Sequence, residues 1–563
     1  MSVALEAREP SARNFDAVQP ALLHRFDLLA TPIDGAARLR RLILTLTVQG
    51  KLVAQDPGGE PASALIEQII REKSKLEVDG KAKRGKPRRV VTEDVPPHEI
   101  PASWDWVRLG SVVKISTGKL DANAACSAGQ FPFFTCSNTP LSIDTYSFDC
   151  SAVLLAGNGD FNLKMYRGKF DAYQRTYVIE PCLIDLHFLY YSLMHSVGGI
   201  SSSHRGTAVP YLRLGDITES MFALPPLAEQ ARIVARVDEL MRLCDALEAK
   251  GQIQAAQHAQ LLSTLLGTLT DSASPAGLAE NWQRLAAHFD LLLDRPEAVD
   301  TLEQTVLQLA VRGLLVPQDA EDESANLLLQ ATRTETDRLI GQVKGKRVTP
   351  ESPIVEGSQS FSLPASWVWV SLDEVSKVIS GHAFSSQDFS SESGFRTIKI
   401  ANAGVGEFHE TDDYLPASFE NGFENFQAVS GDLIIALTRP YVSGGLKISK
   451  CPASYDGALI NQRVAAIRCY PGISNDFVFT YLQTADVLGI FKNRFNESGL
   501  QPNLKVSDIT ELAIPLPPLA EQARIVARVE ELRRLCAALR QRLTASQTTQ
   551  SHLADALVEQ AAA

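Results

Sequence analysis

The sequence predicts an α+β protein: two α/β lobes joined by long helices that pair as an antiparallel coiled coil, with a pseudo-two-fold internal repeat. Three observations predict it. The stretch ALPPLAEQARIVARVDELMRLC at 223–244 returns almost unchanged as PLPPLAEQARIVARVEELRRLC at 515–536. Segments upstream repeat at one constant offset of 263, pairing Phe26 with Phe289, Gly50 with Gly313, Trp104 with Trp367 and Gly118 with Gly381. Between the repeated parts lie two bodies whose sequences no longer resemble each other, the second 29 residues longer because the offset has grown from 263 to 292 at Asp216 and Asp508. A duplicated scaffold therefore presents two different inserts.

Taken in chain order, residues 1–98 read as a helical region with a basic linker. ARLRRLILTLTVQGKLV at 37–53 and the stretch 62–76 place apolar residues at helical spacing, and KAKRGKPRR at 81–89 is a polar, basic loop. Residues 99–222 form the first lobe. In it FPFFTCSN, AVLLAGNGD and RTYVIEP are short apolar runs bounded by turn residues, hence strands, and LHFLYYSLMHS at 186–196 is helical. Residues 223–268 form the first long helix. Pro225 and Pro226 suit its first turn, Glu229 complements the helix dipole, and Ile233, Val237, Leu240, Cys244 and Leu247 recur at spacings of 4, 3, 4 and 3.

Residues 269–361 repeat the helical region, with TLEQTVLQLAVRGLLV at 301–316, a second helix at 325–340 and the linker KGKRVTP at 344–350. Residues 362–514 form the second lobe, with strands FRTIKIANAG, DLIIALTRP and RVAAIRCYP and helical DFVFTYLQTADVLGIF at 476–491. Residues 515–563 form the second long helix, with Glu521 in its first turn and a matching seam of Ile525, Val529, Leu532, Cys536 and Leu539. Uninterrupted, such a helix of ~40 residues spans ~60 Å. Two equal seams in one chain read as partners for each other; the alternative packs each helix on its own lobe.

Composition narrows the function. Lys and Arg total 54 against 66 Asp and Glu, a formal net charge of −12, which excludes nucleic-acid binding by bulk electrostatics alone. No apolar run approaches the ~18 residues of a membrane span, and the first residues lack the basic and apolar regions of a secretory signal, so the expected location is the cytoplasm, with no membrane partner. Eight cysteines never form C-x-x-C and have no histidine pair at zinc spacing, so no metal is expected. GNGDFN at 157–162 lacks the following helix of a dinucleotide loop and reads as a turn. No motif for methyl transfer to a base or for nuclease chemistry occurs, and the chain is expected not to be an enzyme.

The duplicated PLPPLAEQARIV helices, the IPASWDWV and LPASWVWV segments, and bodies containing AVLLAGNGDFN and DLIIALTRPYVSGG closely resemble the specificity subunit of type I restriction-modification enzymes, over essentially the whole chain. The resemblance implies two target recognition domains, each reading one half of an asymmetric split double-stranded DNA site, with the helices setting the spacing. It implies separate modification (methyltransferase) subunits, two of them, and separate restriction (translocase and endonuclease) subunits. AdoMet, ATP and Mg are then expected only in those partners, with no cofactor in this chain.

Base reading calls for Arg, Lys, Asn or Gln side chains on loops. The candidates are Lys164, Arg167, Lys169, Arg175 and Arg205 in the first lobe, and Arg439, Tyr441, Lys447, Arg463, Lys492 and Arg494 in the second. Residues 119–213 carry seven basic and seven acidic residues and 382–504 carry nine and thirteen, so neither lobe is an electrostatic clamp. The alternative function is a coiled-coil assembly scaffold whose lobes bind a protein or a ligand instead of DNA.

Overall fold

In the first repeat, helices α1 (Gly35–Val48) and α2 (Ala62–Val78) precede strand β1 (Asp105–Arg108). The lobe follows as β2 (Val113–Thr117), β3 (Phe131–Phe134), β4 (Leu141–Ile143), β5 (Phe148–Ala156), β6 (Leu163–Ala172), β7 (Thr176–Pro181), α3 (Leu186–Ser202) and β8 (Met221–Leu224), then long helix α4 (Leu227–Thr270). The second repeat has α5 (Pro296–Val311), α6 (Ala325–Gln342), β9 (Val368–Ser371), β10 (Ser376–Ser380), β11 (Phe395–Ile398), β12 (Tyr414–Leu415) and β13 (Leu433–Ala436). It continues with β14 (Tyr441–Val442), β15 (Gly445–Leu446), β16 (Ile448–Lys450), β17 (Leu459–Ile460), β18 (Val464–Cys469), α7 (Asn475–Leu482), α8 (Ala485–Arg494), β19 (Ala513–Leu516) and long helix α9 (Leu519–Ala562). This computed structural model describes residues 34–78, 96–202, 210–272, 274–342, 361–391, 393–420, 422–442, 444–494 and 502–562. The linkers at 81–89 and 344–350 and the 24–32 segment lie outside them.

Both lead-in helices stop sooner than their apolar pattern predicts, at Val48 and Val311 instead of near 53 and 316. The cause is a glycine in the left-handed region, Gly50 at φ 67 and Gly313 at φ 70. There the chain folds back, with Lys51 N donating to Leu46 O at 3.0 Å and Leu314 N to Leu309 O at 2.9 Å, a helix-ending geometry that glycine adopts without strain.

Each lobe is gathered at a two-stranded neck. β1 pairs antiparallel with β8, Asp105 opposite Leu224, and β9 with β19, Val368 opposite Leu516. Chain that leaves and returns at one point can vary between those points without disturbing the scaffold, which is why sequence likeness vanishes inside the lobes and not at their ends. The first lobe holds a six-stranded sheet ordered β2-β7-β5-β6-β3-β4. The second holds the corresponding four strands as β10-β18-β13-β16 and a separate three-stranded sheet, β12-β11-β17. Phe133 and Phe134 pair parallel with Asp171 and Ala172, and Thr397 and Ile398 pair parallel with Leu459 and Ile460, so both lobes repeat one plan.

The repeated PPLAEQ stretch is the joint between neck and long helix. Its glutamates are not solvated first-turn residues, because Glu229 is 3% exposed and Glu521 fully buried. Gln55 Nε2 donates to Glu229 Oε1 at 2.6 Å, and Gln318 Nε2 donates to Glu521 Oε1. The two glutamines are held alike, by Gly50 O and Gly313 O at 3.2 Å and by the Ser103 and Ser366 hydroxyls. Trp367 Nε1 adds a bond to Glu521 Oε2 at 2.9 Å, whereas Trp104 Nε1 is buried without a hydrogen-bond partner among the described residues. Burial pushes the Glu521 carboxyl up from its ordinary value, against the lowering effect of the Trp367 and Gln318 bonds. The adjacent buried Gln230 and Gln522 tie the lobes down: their Oε1 atoms accept Asp185 N at 2.8 Å and Ser474 N at 2.9 Å.

The chain divides into two units, residues 1–254 with 546–563, and residues 255–545. α4 and α9 are each continuous over 44 residues, ~66 Å at 1.5 Å per residue. In the first unit the early turns of α4 and the last turns of α9 share a core with α1: Ile233, Val237 and Cys244 cluster with Leu39, Leu42, Trp104, Phe188, Ala554 and Val558. α1 bridges the two, since Arg40 pairs with Asp245 at 2.6 Å and Glu248 at 2.7 Å, and Arg38 pairs with Asp555 at 2.7 Å. In the second unit Ile525 and Val529 cluster with Val306, Ala310, Trp367 and Phe477, while Cys536 clusters with Leu262, Leu266 and Leu269 of α4 and Val299 and Leu302 of α5. Arg540 joins α9 to Asp300 and Glu303 of α5 at 2.7 and 2.9 Å.

Opposite ends of the long helices thus meet in each unit, as antiparallel pairing requires. The predicted seam differs in detail. Its early members in the second repeat, Ile525, Val529 and half-buried Leu532, lie against their own lobe and lead-in helix. Ile233, Val237, Leu240, Cys244 and Leu247 of the first repeat, and Cys536 and Leu539 of the second, lie in cores that also hold the other long helix. The lead-in helices supply apolar surface that a two-helix seam would otherwise take from its partner.

Candidate nucleic-acid interface

Beyond the central strand of each lobe, three backbone segments are tied together by the same hydrogen bonds. In the first lobe Gly157 N donates to Arg175 O at 2.7 Å, Leu212 N to Gly157 O at 2.9 Å and Gly159 N to Pro210 O at 3.1 Å. In the second, Leu437 N donates to Arg463 O at 2.9 Å, Leu504 N to Leu437 O at 2.7 Å and Arg439 N to Pro502 O at 3.0 Å. Ala156 N to Asn162 O at 3.0 Å answers Ala436 N to Lys447 O at 3.1 Å, and Gln174 N to Leu120 O answers Gln462 N to His382 O, both 2.9 Å. These bonds place Gly157 with Leu437, Gly159 with Arg439, Asn162 with Lys447 and Arg175 with Arg463. One backbone frame carries two sets of side chains.

Five of the second lobe's six candidates gather on this frame. Arg439 and Arg463 are exposed and Lys447 half-buried. Tyr441 lies on the short hairpin β14–β15 with Lys492 Nζ 5.0 Å from its ring centroid. Arg494 instead donates to Asp508 O at 2.7 Å and serves the packing of α8. In the first lobe, Arg175 and Lys164 sit on the frame. Lys164 Nζ is turned inward to Asn162 Oδ1 and to Thr135 O at 3.4 Å, and burial lowers its pKa. Arg167 and Lys169 lie farther along β6, opposite Ser151 and Asp149, with Lys169 4.6 Å from the Tyr146 ring centroid. Arg205 lies outside the described residues.

Two residues that the sequence did not single out help to build the frame: Asn162 donates to Cys136 O at 2.7 Å, and Cys136 Sγ meets Arg175 O at 3.7 Å. The longer second insert adds a ring cluster in which His382 has Phe384, Phe423 and Phe426 within 5.0 to 5.1 Å. Its signal was the run of phenylalanines at 384–426. Among the described residues no group of three His, Cys, Asp or Glu is placed to hold a metal ion.

The family description "Type I restriction modification DNA specificity domain" matches twice, over residues 101–257 and 364–546. The chain belongs to the type I restriction-modification specificity subunits. The specificity subunit of the type I restriction enzyme EcoAI of Escherichia coli is 33% identical over 572 residues, covering 94% of each chain. That of EcoEI, also of Escherichia coli, is 29% identical over 584 residues with the same coverage. That of EcoDI is 30% identical over 439 residues, covering 77% of this chain and 82% of the relative. The two family matches begin at Pro101 and Pro364, the residues that the internal offset pairs, so in this specificity subunit the repeat and the family's domain coincide. The duplicated lobes are its two DNA-specificity domains.

Proposed function

We propose that this chain is the non-catalytic reading subunit of its complex, with each lobe engaging one half of a split double-stranded DNA target through the frame at 156–162, 173–176 and 210–213 or its counterpart in the second lobe. One observation carries the proposal: the same pattern of backbone hydrogen bonds presents Asn158, Gly159 and Asn162 in one lobe and Thr438, Arg439 and Lys447 in the other. A scaffold duplicated for stability alone has no reason to keep the geometry and change the side chains set on it. The length of α4 and α9 sets the accepted half-site spacing, because a helix neither stretches nor turns freely and the duplex rotates with length.

Leu227, Leu243 and Leu261 on α4 are exposed, as are their repeats Leu519, Leu535 and Leu553 on α9. Equivalent exposed leucines on the two long helices support docking of two copies of one partner, the modification subunit, with restriction subunits beyond. AdoMet, ATP and Mg belong to those partners. Negative charge on this chain supports a division of labour in which the partners supply most phosphate contacts. A DNA role locates the chain in the cytoplasm, and no described helix is long and apolar enough to cross a membrane.

The test is a gel shift with and without the co-expressed modification subunit. Sequence-selective binding in its presence supports the proposal. Absence of selective binding in both conditions overturns it and leaves the scaffold reading.

A further inference from the structure

Arg439 occupies an unfavourable backbone conformation, at φ 50, where the first lobe has Gly159 at φ 78. Both are fixed there by the bond to the proline carbonyl ahead of the neck, Pro502 O and Pro210 O. A long side chain at this φ crowds its own carbonyl, and glycine is the residue that such a site selects on stability alone. Arginine persists in the second lobe although its guanidinium has no ion pair or hydrogen bond among the described residues and is exposed. Among the described residues no side-chain partner repays the strain, and non-glycine residues held in this region concentrate at functional sites.

The comparison between lobes sharpens its role. Arg175 and Arg463 occupy equivalent positions and are exposed in both, so whatever they do is common to the two halves. Arg439 has no counterpart, since a glycine stands in its place. On one frame, a shared residue suits the feature common to every duplex, the phosphate backbone, and a residue present in one lobe suits a feature of one sequence. Arginine's planar fork matches the O6 and N7 acceptors of guanine in the major groove.

Resting on the proposed DNA-reading function, we infer that Arg439 is a specificity-determining residue that reads a guanine in the half-site of the second lobe, while Arg175 and Arg463 hold phosphates. The first lobe, with Gly159, reads no base from this position.

The test selects bound sequences from a randomised double-stranded DNA pool, using the full chain in complex with its modification subunit, wild type and with Arg439→Gly, Arg439→Lys or Arg463→Ala. Arg439→Gly is expected to lower discrimination at one G·C pair of one half-site about 5- to 150-fold, leaving the other half-site unchanged. Arg439→Lys retains charge without the fork and is expected to lose discrimination as well. Arg463→Ala is expected to weaken binding evenly across sequences. An unchanged recognised sequence for Arg439→Gly, or an even weakening without loss of preference, overturns the inference while the reading function stands. A wild-type complex that selects no sequence overturns the function itself.

Discussion

Removing the Glu521 carboxylate is the sharpest perturbation of the joint on which each lobe is mounted. In Glu521→Ala, the Trp367 indole N–H loses its partner at 2.9 Å inside the core, and Gln318 Nε2 loses its acceptor while keeping Gly313 O at 3.2 Å. Two hydrogen bonds to a charged acceptor, each about 1.5 to 3 kcal/mol, are lost, and relief of the carboxylate's own desolvation offsets part of that, so the net local loss is about 2 to 4 kcal/mol. The matching change in the first repeat, Glu229→Ala, strands only Gln55, which keeps Gly50 O, and costs about 1 to 2 kcal/mol. Hydrogen exchange followed by peptide separates the two joints within one molecule. Amides of 363–371 and 519–530 are expected to open roughly 30- to 1000-fold more often in Glu521→Ala, with 101–108 and 227–238 unchanged. A change below about tenfold, or an equal loss in Glu229→Ala, refutes the reasoning.

Three further outcomes follow from the same geometry. Because burial raises the Glu521 pKa, the folded state binds this proton more tightly than the unfolded chain. The contribution of this group to the stability of the second unit is therefore fully present below the ordinary carboxylate range and is lost as pH rises through its raised value, a contribution to the slope that Glu521→Gln removes in denaturation curves at stepped pH. Arg439→Gly relieves a left-handed backbone and is expected to leave stability unchanged or raise it by about 1 kcal/mol in urea titrations, so its effect on DNA does not come from unfolding. Matched insertions of one helical turn after Gly251 and Leu543 lengthen both long helices while keeping their opposite ends in register, and are expected to widen the accepted half-site spacing by about two base pairs in methylation maps.

The repeat, the strands and the long helices are legible in the sequence because they rest on local periodicity and on identical letters at a constant offset. The glutamates of PPLAEQ are a different case. In one dimension Glu229 looks like an acidic first-turn residue, and nothing nearby says that Gln55, 174 residues earlier, closes over it. The seam shows a similar limit: spacing of 4 and 3 says that a helix needs an apolar neighbour without saying which one. Ile525 and Cys536, on one stripe of one helix, lie among different partners. Arg439 was visible as a cation beside a strand, and its left-handed backbone was not, because that conformation exists only through the bond to Pro502. Lys164 was visible as a candidate cation and its inward turn was not, for a related reason, since that turn depends on Thr135 and Asn162, which come near it only in the folded sheet.

The most direct measurement maps methylated sequences in cells carrying the full system, first with the wild-type chain and then with residues 119–213 replaced by the corresponding segment of another specificity subunit. The account predicts a bipartite target in which only one half changes and the spacing stays the same. A target that changes in both halves, or one that keeps both halves after the replacement, contradicts it.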